Sequence, residues 1–567
     1  VLEYEGELPE HNKIYSELKT GEIHLKITAE TPIFISDGSK TEEVCRFYKN
    51  GNGRFAIPGS SIRGLIRENM QILGFGQFDV NENFEDYQIF YRSIAAKSES
   101  DDAALHGYYT GLLDVRTKQE KSSGKKNSTV TVPLDVKAGY LINENGSYVI
   151  YPTQNDYIRI RRGNDYIKED IYAKEIPVLY KGDNNKNIVI NYNDSNNENG
   201  MKHGVLLYTG KPVNKANAVY LFPEMDKDAI PVTISSEDIK SYSIDYENRK
   251  NVLGADREFW NIINNDGPKA VFYVQKNGHV YFGRSLFLRV GYEHPLSYGL
   301  HKIHKDKKVL DYPHAIMGYA DINNESYKSR ISCEDCVAEK NSKEGNVAKV
   351  TLASPKASYY KNYVEDGKHY NDDSFKLRGY KQYWFKESVE EAGNQKDNVS
   401  TSIVSLKEGT VFSGTIRFKN LNDVEFGLLL WCIKLNGKES YHNIGMAKPY
   451  GYGRVKIEID ELNTVNYKNM YDPAHIFDDP YEIVDEDQQQ AYIKKYKEYA
   501  STNLISSDGK KKKVKLNDNG TIESFMLMRK TIMKNDDCKY MELSEFKNAN
   551  KLKNVKEVIE ESGANDE

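Results

Sequence analysis

GEIHLKITAETPIFIS, Gly21–Ser36, decides the fold class when it is set beside IPGSSIRGLIRENMQIL, Ile57–Leu73. In the first segment Ile23, Leu25, Ile27 and Ala29 alternate with polar residues, the period of a strand buried on one face. In the second, Ile62, Leu65, Ile66, Met70 and Leu73 recur at helical spacing behind Pro58, with Ser60 and Ser61 as capping candidates. A polar loop, Asp37–Arg54, joins the two. Downstream, GTVFSGTIRFKNL (Gly409–Leu421) reads as a strand and FGLLLWCIKL (Phe426–Leu435) as a buried helix, and RVKIEID (Arg454–Asp460) alternates as a strand. Strand, helix, strand behind strand, loop, helix predicts an α+β sandwich with helices on one face of an antiparallel sheet.

The chain around these segments has 567 residues, which at about 150 residues per domain divides into three or four packing units. From about Ser98 to Pro268 it is rich in Asn, Asp, Gly and Lys, with short apolar runs such as VLLYTG and AVYLFP between polar stretches. That pattern predicts an insertion with a small β-rich core. AVFYVQKNGHVYFGRSLFLRVGYEH then places two alternating runs around Asn277–Gly278, a strong hairpin signal. The tail carries helical stretches near Asp485–Ala500 and Leu543–Glu561, separated by the basic run Gly509–Lys515. The expected units are 17–100, the first half of the core; 101–268, the insertion, either β-rich or a degenerate second copy of the core; 269–462, the second half of the core; and 463–567, a helical extension.

Lys plus Arg number 78 against 84 Asp plus Glu, a formal charge of −6. No global positive field marks a polyanion partner, so nucleic-acid binding has to be local. No apolar run reaches the ~18 residues of a membrane helix, and Val1–Ser16 lacks the apolar stretch of a secretory signal. The expected location is cytoplasmic. The five cysteines, 45, 333, 336, 432 and 538, are an odd and scattered set, as expected of reduced thiols. Tyrosine is abundant, 42 against 20 Phe and 3 Trp, and serves equally for stacking on bases and for half-buried strands.

Two constellations point to a ligand. At the helix start, Pro58, Gly59, Ser60 and Ser61 offer backbone N–H groups and hydroxyls, and Arg63 and Arg67 share a face with Gly64 between them. This reads either as a phosphate site or as an ordinary capped helix with solvated arginines. In YHNIGMAKPYGYGRVKI (Tyr441–Ile457), Gly445, Gly451 and Gly453 punctuate a loop bearing Lys448, Tyr450, Tyr452 and Arg454 ahead of a strand. Such a loop can lie against a sugar-phosphate chain, or it is a structural turn. Cys333-x-x-Cys336 has the spacing of half a zinc knuckle and needs two more ligands, with His301, His304 and His314 nearest. The alternative is a pair of buried thiols.

IPGSSIRG (Ile57–Gly64), AIMGYAD with SRISCED (Ala315–Asp321 and Ser329–Asp335), EFGLLLW (Glu425–Trp431) and IGMAKPYGYGRV (Ile444–Val455) occur in an order that resembles the RAMP superfamily. These are the ferredoxin-like (RRM-like) RNA-binding subunits of type III CRISPR effector complexes, and the likeness is to their repeated backbone subunit, as a large variant with an insertion. The resemblance implies a ribonucleoprotein of antiviral defence whose partners are guide RNA, target RNA and other effector subunits, without a membrane. It implies that Gly59, Ser60, Ser61, Arg63, Arg67, His442, Lys448, Tyr450, Gly451, Tyr452, Gly453 and Arg454 hold guide-RNA backbone while a hairpin thumb enters the guide–target duplex. In cleaving members an aspartate ahead of the IPG motif cuts target RNA with Mg²⁺ or Mn²⁺. Here that position is Glu43, with Glu42 beside it and Asp37 several residues earlier, so endoribonuclease activity stays open with these three acids as candidates. Two rival readings stand: a stand-alone RAMP endoribonuclease that processes guide RNA, with His24, His442 or Tyr441 as general base, and a structural interaction protein.

Overall fold

The alternating segment forms strand β1, Lys19–Ala29, in which Gly21, Ile23, Leu25, Ile27 and Ala29 are buried while Glu22, His24 and Thr28 are half-buried and Lys26 is exposed. A computed structural model describes residues 1–563 apart from 39–43, 79–87, 92–108, 121–127, 161–165, 169–170, 172, 185–186, 193–199, 210–218, 264–266, 302–303, 305–308, 323–324, 353–356, 358, 366, 392–399, 438, 476, 507–509, 517–518 and 542–550. After β1 the core continues with α1 (Gly59–Leu73), β2 (Ile331–Cys333), β3 (Cys336–Ala338), β4 (Val411–Leu421), α2 (Asp423–Lys434) and β5 (Arg454–Val465). Strand β1 pairs antiparallel with β5 on one side and with β4 on the other. Both β2 and β3 pair antiparallel with β4, near its two ends. With β2 and β3 counted as one interrupted strand, the sheet runs fourth, first, third, second.

Helices α1 and α2 cover one face. The stripe Ile62, Leu65, Ile66, Met70 and Leu73 joins Phe426, Leu428, Leu429 and Ile433 over Ile23, Leu25 and Ile27 in a single core cluster. Each such side chain contributes about 1.5–3 kcal/mol on burial, which fixes the rotation of α1 about its axis. Helix α2 starts at a capping box between Asn422 and Glu425. The expected α+β arrangement, helices against an antiparallel sheet, is what forms.

Between α1 and β2 the chain leaves this core and builds two five-stranded sheets. The runs containing VLLYTG and AVYLFP pair with each other as Lys202–Tyr208 and Val219–Pro223. The hairpin at Asn277–Gly278 forms, with φ of 54° and 82° at its two turn residues. Its first strand, Lys269–Lys276, pairs with Lys137–Glu144, so it belongs to the insertion and not to the second half of the core as expected. Ala270–Val274 is buried on both faces and flanked on both edges, a demand the insertion meets. Both ends of the insertion are pinned at its root, where buried Asp311 accepts from Gln77 N at 2.5 Å and from His314 N at 2.8 Å.

The C-terminal extension supplies α3 (Glu486–Asn503) and α4 (Gly520–Lys530), the second unforeseen in the sequence. Helix α3 crosses α2 at Gly427, where a Cβ would stand 2.1 Å from Tyr492 O. Of the expected helix over 543–561, residues up to 550 lie outside the described set and Val555–Ser562 is helical.

Candidate nucleic-acid interface

The start of α1 is closed by the chain itself. Gly59 N–H donates to Asp335 Oδ1 at 2.9 Å, and a Cβ at Gly59 would stand 2.2 Å from Cys333 O, so the turn between β2 and β3 lies directly on the helix end. The expected open cradle of N–H groups is therefore corrected: its first donor is taken by a carboxylate, the natural neighbour for the positive end of a helix. Beyond that turn Ser60, Gly64 and Arg67 are exposed, with Ser61 and Arg63 half-buried. Arg63 Nη2 donates to Met317 O at 2.8 Å, and a Cβ at Gly64 would meet nothing within 4 Å. Ser60, Gly64 and Arg67 thus form an open stripe along α1 onto which another molecule's backbone can close.

The Cys333–Cys336 pair faces inward instead. Burial pushes both thiols up to about 12. His314 is held by Asp311 at 2.7 Å and His304 Nδ1 accepts from Phe78 N at 3.2 Å. Among the described residues no group of three or more His, Cys, Asp or Glu is placed to hold a metal ion, and Glu42 and Glu43, expected with Asp37 to bind Mg²⁺ or Mn²⁺, lie outside that set. Asp37 is exposed on the loop, its N–H donating to Arg46 O at 3.3 Å.

The glycine-rich loop is built as a tight turn with φ of 91°, 86° and 79° at Gly445, Gly451 and Gly453. Its rings point into the protein. His442, Tyr450, Gly451, Tyr452 and Gly453 are buried. His442 Nε2 meets Ile433 O at 2.8 Å and its Nδ1 meets Asn69 Nδ2 at 3.3 Å, and burial takes its pKa down to about 4, which makes it a neutral core histidine. Tyr450 Oη donates to Thr351 O at 3.1 Å, and Arg454 Nη1 reaches Lys386 O at 3.2 Å. A strap over residues 385–390 covers the turn, for Glu390 N donates to Tyr450 O at 2.9 Å and a Cβ at Gly451 would stand 2.9 Å from Ser388 O. The strap is held in turn by the C-terminal extension: Phe385–Lys386 pairs with Ile532–Met533, and Asn535 Nδ2 donates to Ser388 O at 3.1 Å. Burial takes His442, Tyr450, Gly451, Tyr452 and Gly453 out of direct reach of an RNA strand, while Lys448 and Arg454 are half-buried.

Burial lowers the pKa of Lys448, and the charge of Glu68 on α1 acts against that shift, which relates the loop to the helix stripe. Between them lies a segment the motif reading passed over. Gln382 Nε2 donates to Glu68 Oε1 at 2.8 Å, and Gln382 Oε1 accepts from Arg529 Nη2 of α4 at 2.5 Å. The available signal was the interleaving of cations and rings in RGYKQYWFK, Arg378–Lys386.

Sheet order and helix placement define an α+β protein with a cationic stripe on its first core helix. Residues 26–201 match the family model for the RAMP superfamily. The match includes IPGSSIRG and ends before the other three motif segments. No curated protein matches the chain. Solved structures similar to it include type III-B Cmr-beta bound to cognate target RNA, 11% identical over 77% of this chain and 96% of that one with a TM-score of 0.19, and apo Cmr-beta, 10% identical over the same shares with a TM-score of 0.18. Among the described residues no helix is long and apolar enough to cross a membrane.

Proposed function

We propose that the chain is a guide-RNA-binding subunit of a type III CRISPR ribonucleoprotein effector, built on a ferredoxin-like core and holding RNA by its backbone. The observation that carries this reading is the open stripe of α1, where exposed Ser60, Gly64 and Arg67 lie beside Arg63 inside the RAMP-matching stretch. The sheet order described above is that of a ferredoxin-like split βαβ fold and supports the same assignment. Hydroxyls, guanidinium groups and a side-chain-free backbone grip phosphates without reading sequence, which suits a protein whose specificity comes from base pairing. Replacing Arg63 and Arg67 together by Ala should weaken RNA binding and lower the salt slope by about two units, one for each phosphate no longer neutralised. A folded double variant with wild-type RNA affinity and slope would refute the site.

The rival reading, a stand-alone guide-processing endoribonuclease, loses His442 as its base because that imidazole is buried and neutral. It keeps His24, whose Nδ1 lies 3.2 Å from Thr415 Oγ1 on the open sheet face. Cutting of hairpin RNA by the isolated chain that disappears in His24→Ala would favour it.

A further inference from the structure

We propose that Arg378–Trp384 is a stacking platform for unpaired RNA bases, laid alongside the phosphate stripe of α1; the proposal rests on the RNA-binding reading and extends it from backbone to bases. The segment RGYKQYW alternates cations and rings, Arg378, Tyr380, Lys381, Tyr383 and Trp384, and forms neither helix nor strand. A strand or helix of this composition would turn about half of its rings into a core. Here Tyr380 is 37% exposed, and Tyr383 and Trp384 are half-buried.

The segment is fastened at its start, where Arg378 N donates to Tyr363 O at 2.8 Å, and by its polar side chains, while its rings keep part of their surface open. Gln382 is held between Glu68 of α1 and Arg529 of α4. The Tyr380 ring packs against Phe78, with centroids 5.5 Å apart, which anchors one side of it and leaves the ring 37% exposed. Arg378 Nη1 donates to Leu552 O at 2.6 Å. The Lys381 ammonium sits 5.4 Å from the centroid of the Tyr383 ring, a cation–π placement that leaves a positive charge beside an aromatic face.

Position gives the platform its substrate. Gly64 and Glu68 stand at i and i+4, so the face of α1 that holds the segment continues from the open site at Gly64. A strand whose phosphates run over Ser60, Gly64 and Arg67 has its next bases opposite Tyr380 and Trp384. Rings interleaved with cations along a fixed extended segment are the chemistry of single-stranded nucleic-acid grooves, in which stacking tolerates any base. The class of ligand is thus unpaired RNA, read without sequence preference.

The test uses the full chain with two labelled strands of equal length, oligouridine and the same ribose-phosphate chain without bases. Tyr380→Ala with Trp384→Ala should weaken oligouridine binding about ten-fold or more. Binding of the abasic strand and the salt slope should be unchanged, and Tyr380→Phe with Trp384→Phe should restore most of the loss. Oligouridine should also quench wild-type tryptophan fluorescence, less so in Trp384→Phe, whereas Trp431 is 2% exposed and insensitive. A folded Ala variant that binds oligouridine as the wild type does, or that loses both strands equally, overturns the platform alone. A wild-type chain that binds neither strand overturns the RNA-binding reading and the platform with it.

Discussion

Two glycines with opposite surroundings show how single residues divide the surface. At Gly453, φ is +79° and a Cβ would stand 2.0 Å from Ile444 O, while at Gly64 the same atom would meet open space within a helix. Gly453→Ala should cost at least about 1–2 kcal/mol for the left-handed backbone alone, and the overlap with Ile444 adds to it. Gly64→Ala should instead raise stability by about 1 kcal/mol through helix propensity, and yet weaken RNA binding if, as proposed, a phosphate backbone closes on α1 there. Urea unfolding and a binding titration on the same two variants check both signs; a Gly64→Ala chain that binds RNA normally would count against the stripe. Both glycines were visible as motif residues, but their roles were not, because the room at a Cβ is set by segments distant in the chain.

At the scale of elements, one buried ion pair ties the core helices to the sheet. Arg330 and Glu425 are each 1% exposed and paired through both guanidinium Nη atoms, while Arg330 also donates to Asn420 O at 2.7 Å and to Ala315 O, and Glu425 Oε2 accepts Asn422 N at 2.8 Å. The pair therefore fastens the cap of α2, the end of β4 and the start of β2 at one point. Removing the negative charge with Glu425→Gln leaves the guanidinium buried and unpaired, and should cost about 3–5 kcal/mol. A destabilisation below about 1 kcal/mol in urea unfolding would show that the pair is dispensable. Helix α2 was legible from its unbroken apolar run, and Asn422 with Glu425 form its cap. The long-range partner was not, since Arg330 lies 95 residues earlier and nothing in local spacing joins them.

For the whole molecule, the buried histidine makes stability depend on pH. His442 has its pKa lowered to about 4 in the folded chain by burial, against about 6.5 when unfolded. Above pH 6.5 it is neutral in both states and the folded state keeps its full stability. Below that the unfolded chain takes up the proton first, and stability falls by up to about 1.4 kcal/mol per pH unit until pH 4 is reached. His304, lowered to about 4 by burial, acts in the same direction. Urea midpoints measured from pH 7 to pH 4 should decline, more shallowly in His442→Gln; a wild-type midpoint flat across that window would contradict a neutral core histidine. Strands β1, β4 and β5, helices α1, α2 and α3 and the Asn277–Gly278 hairpin were legible in the sequence alone, because periodicity and turn conformation are properties of neighbouring residues. The tertiary structure alone decided that Asp335 closes the helix start 276 residues away, that the glycine loop faces inward beneath a strap, that the hairpin serves the insertion, and that Arg378–Trp384 lies on α1. Burial and charge pairing depend on which distant segments come together, and a local pattern of residue types holds no record of that.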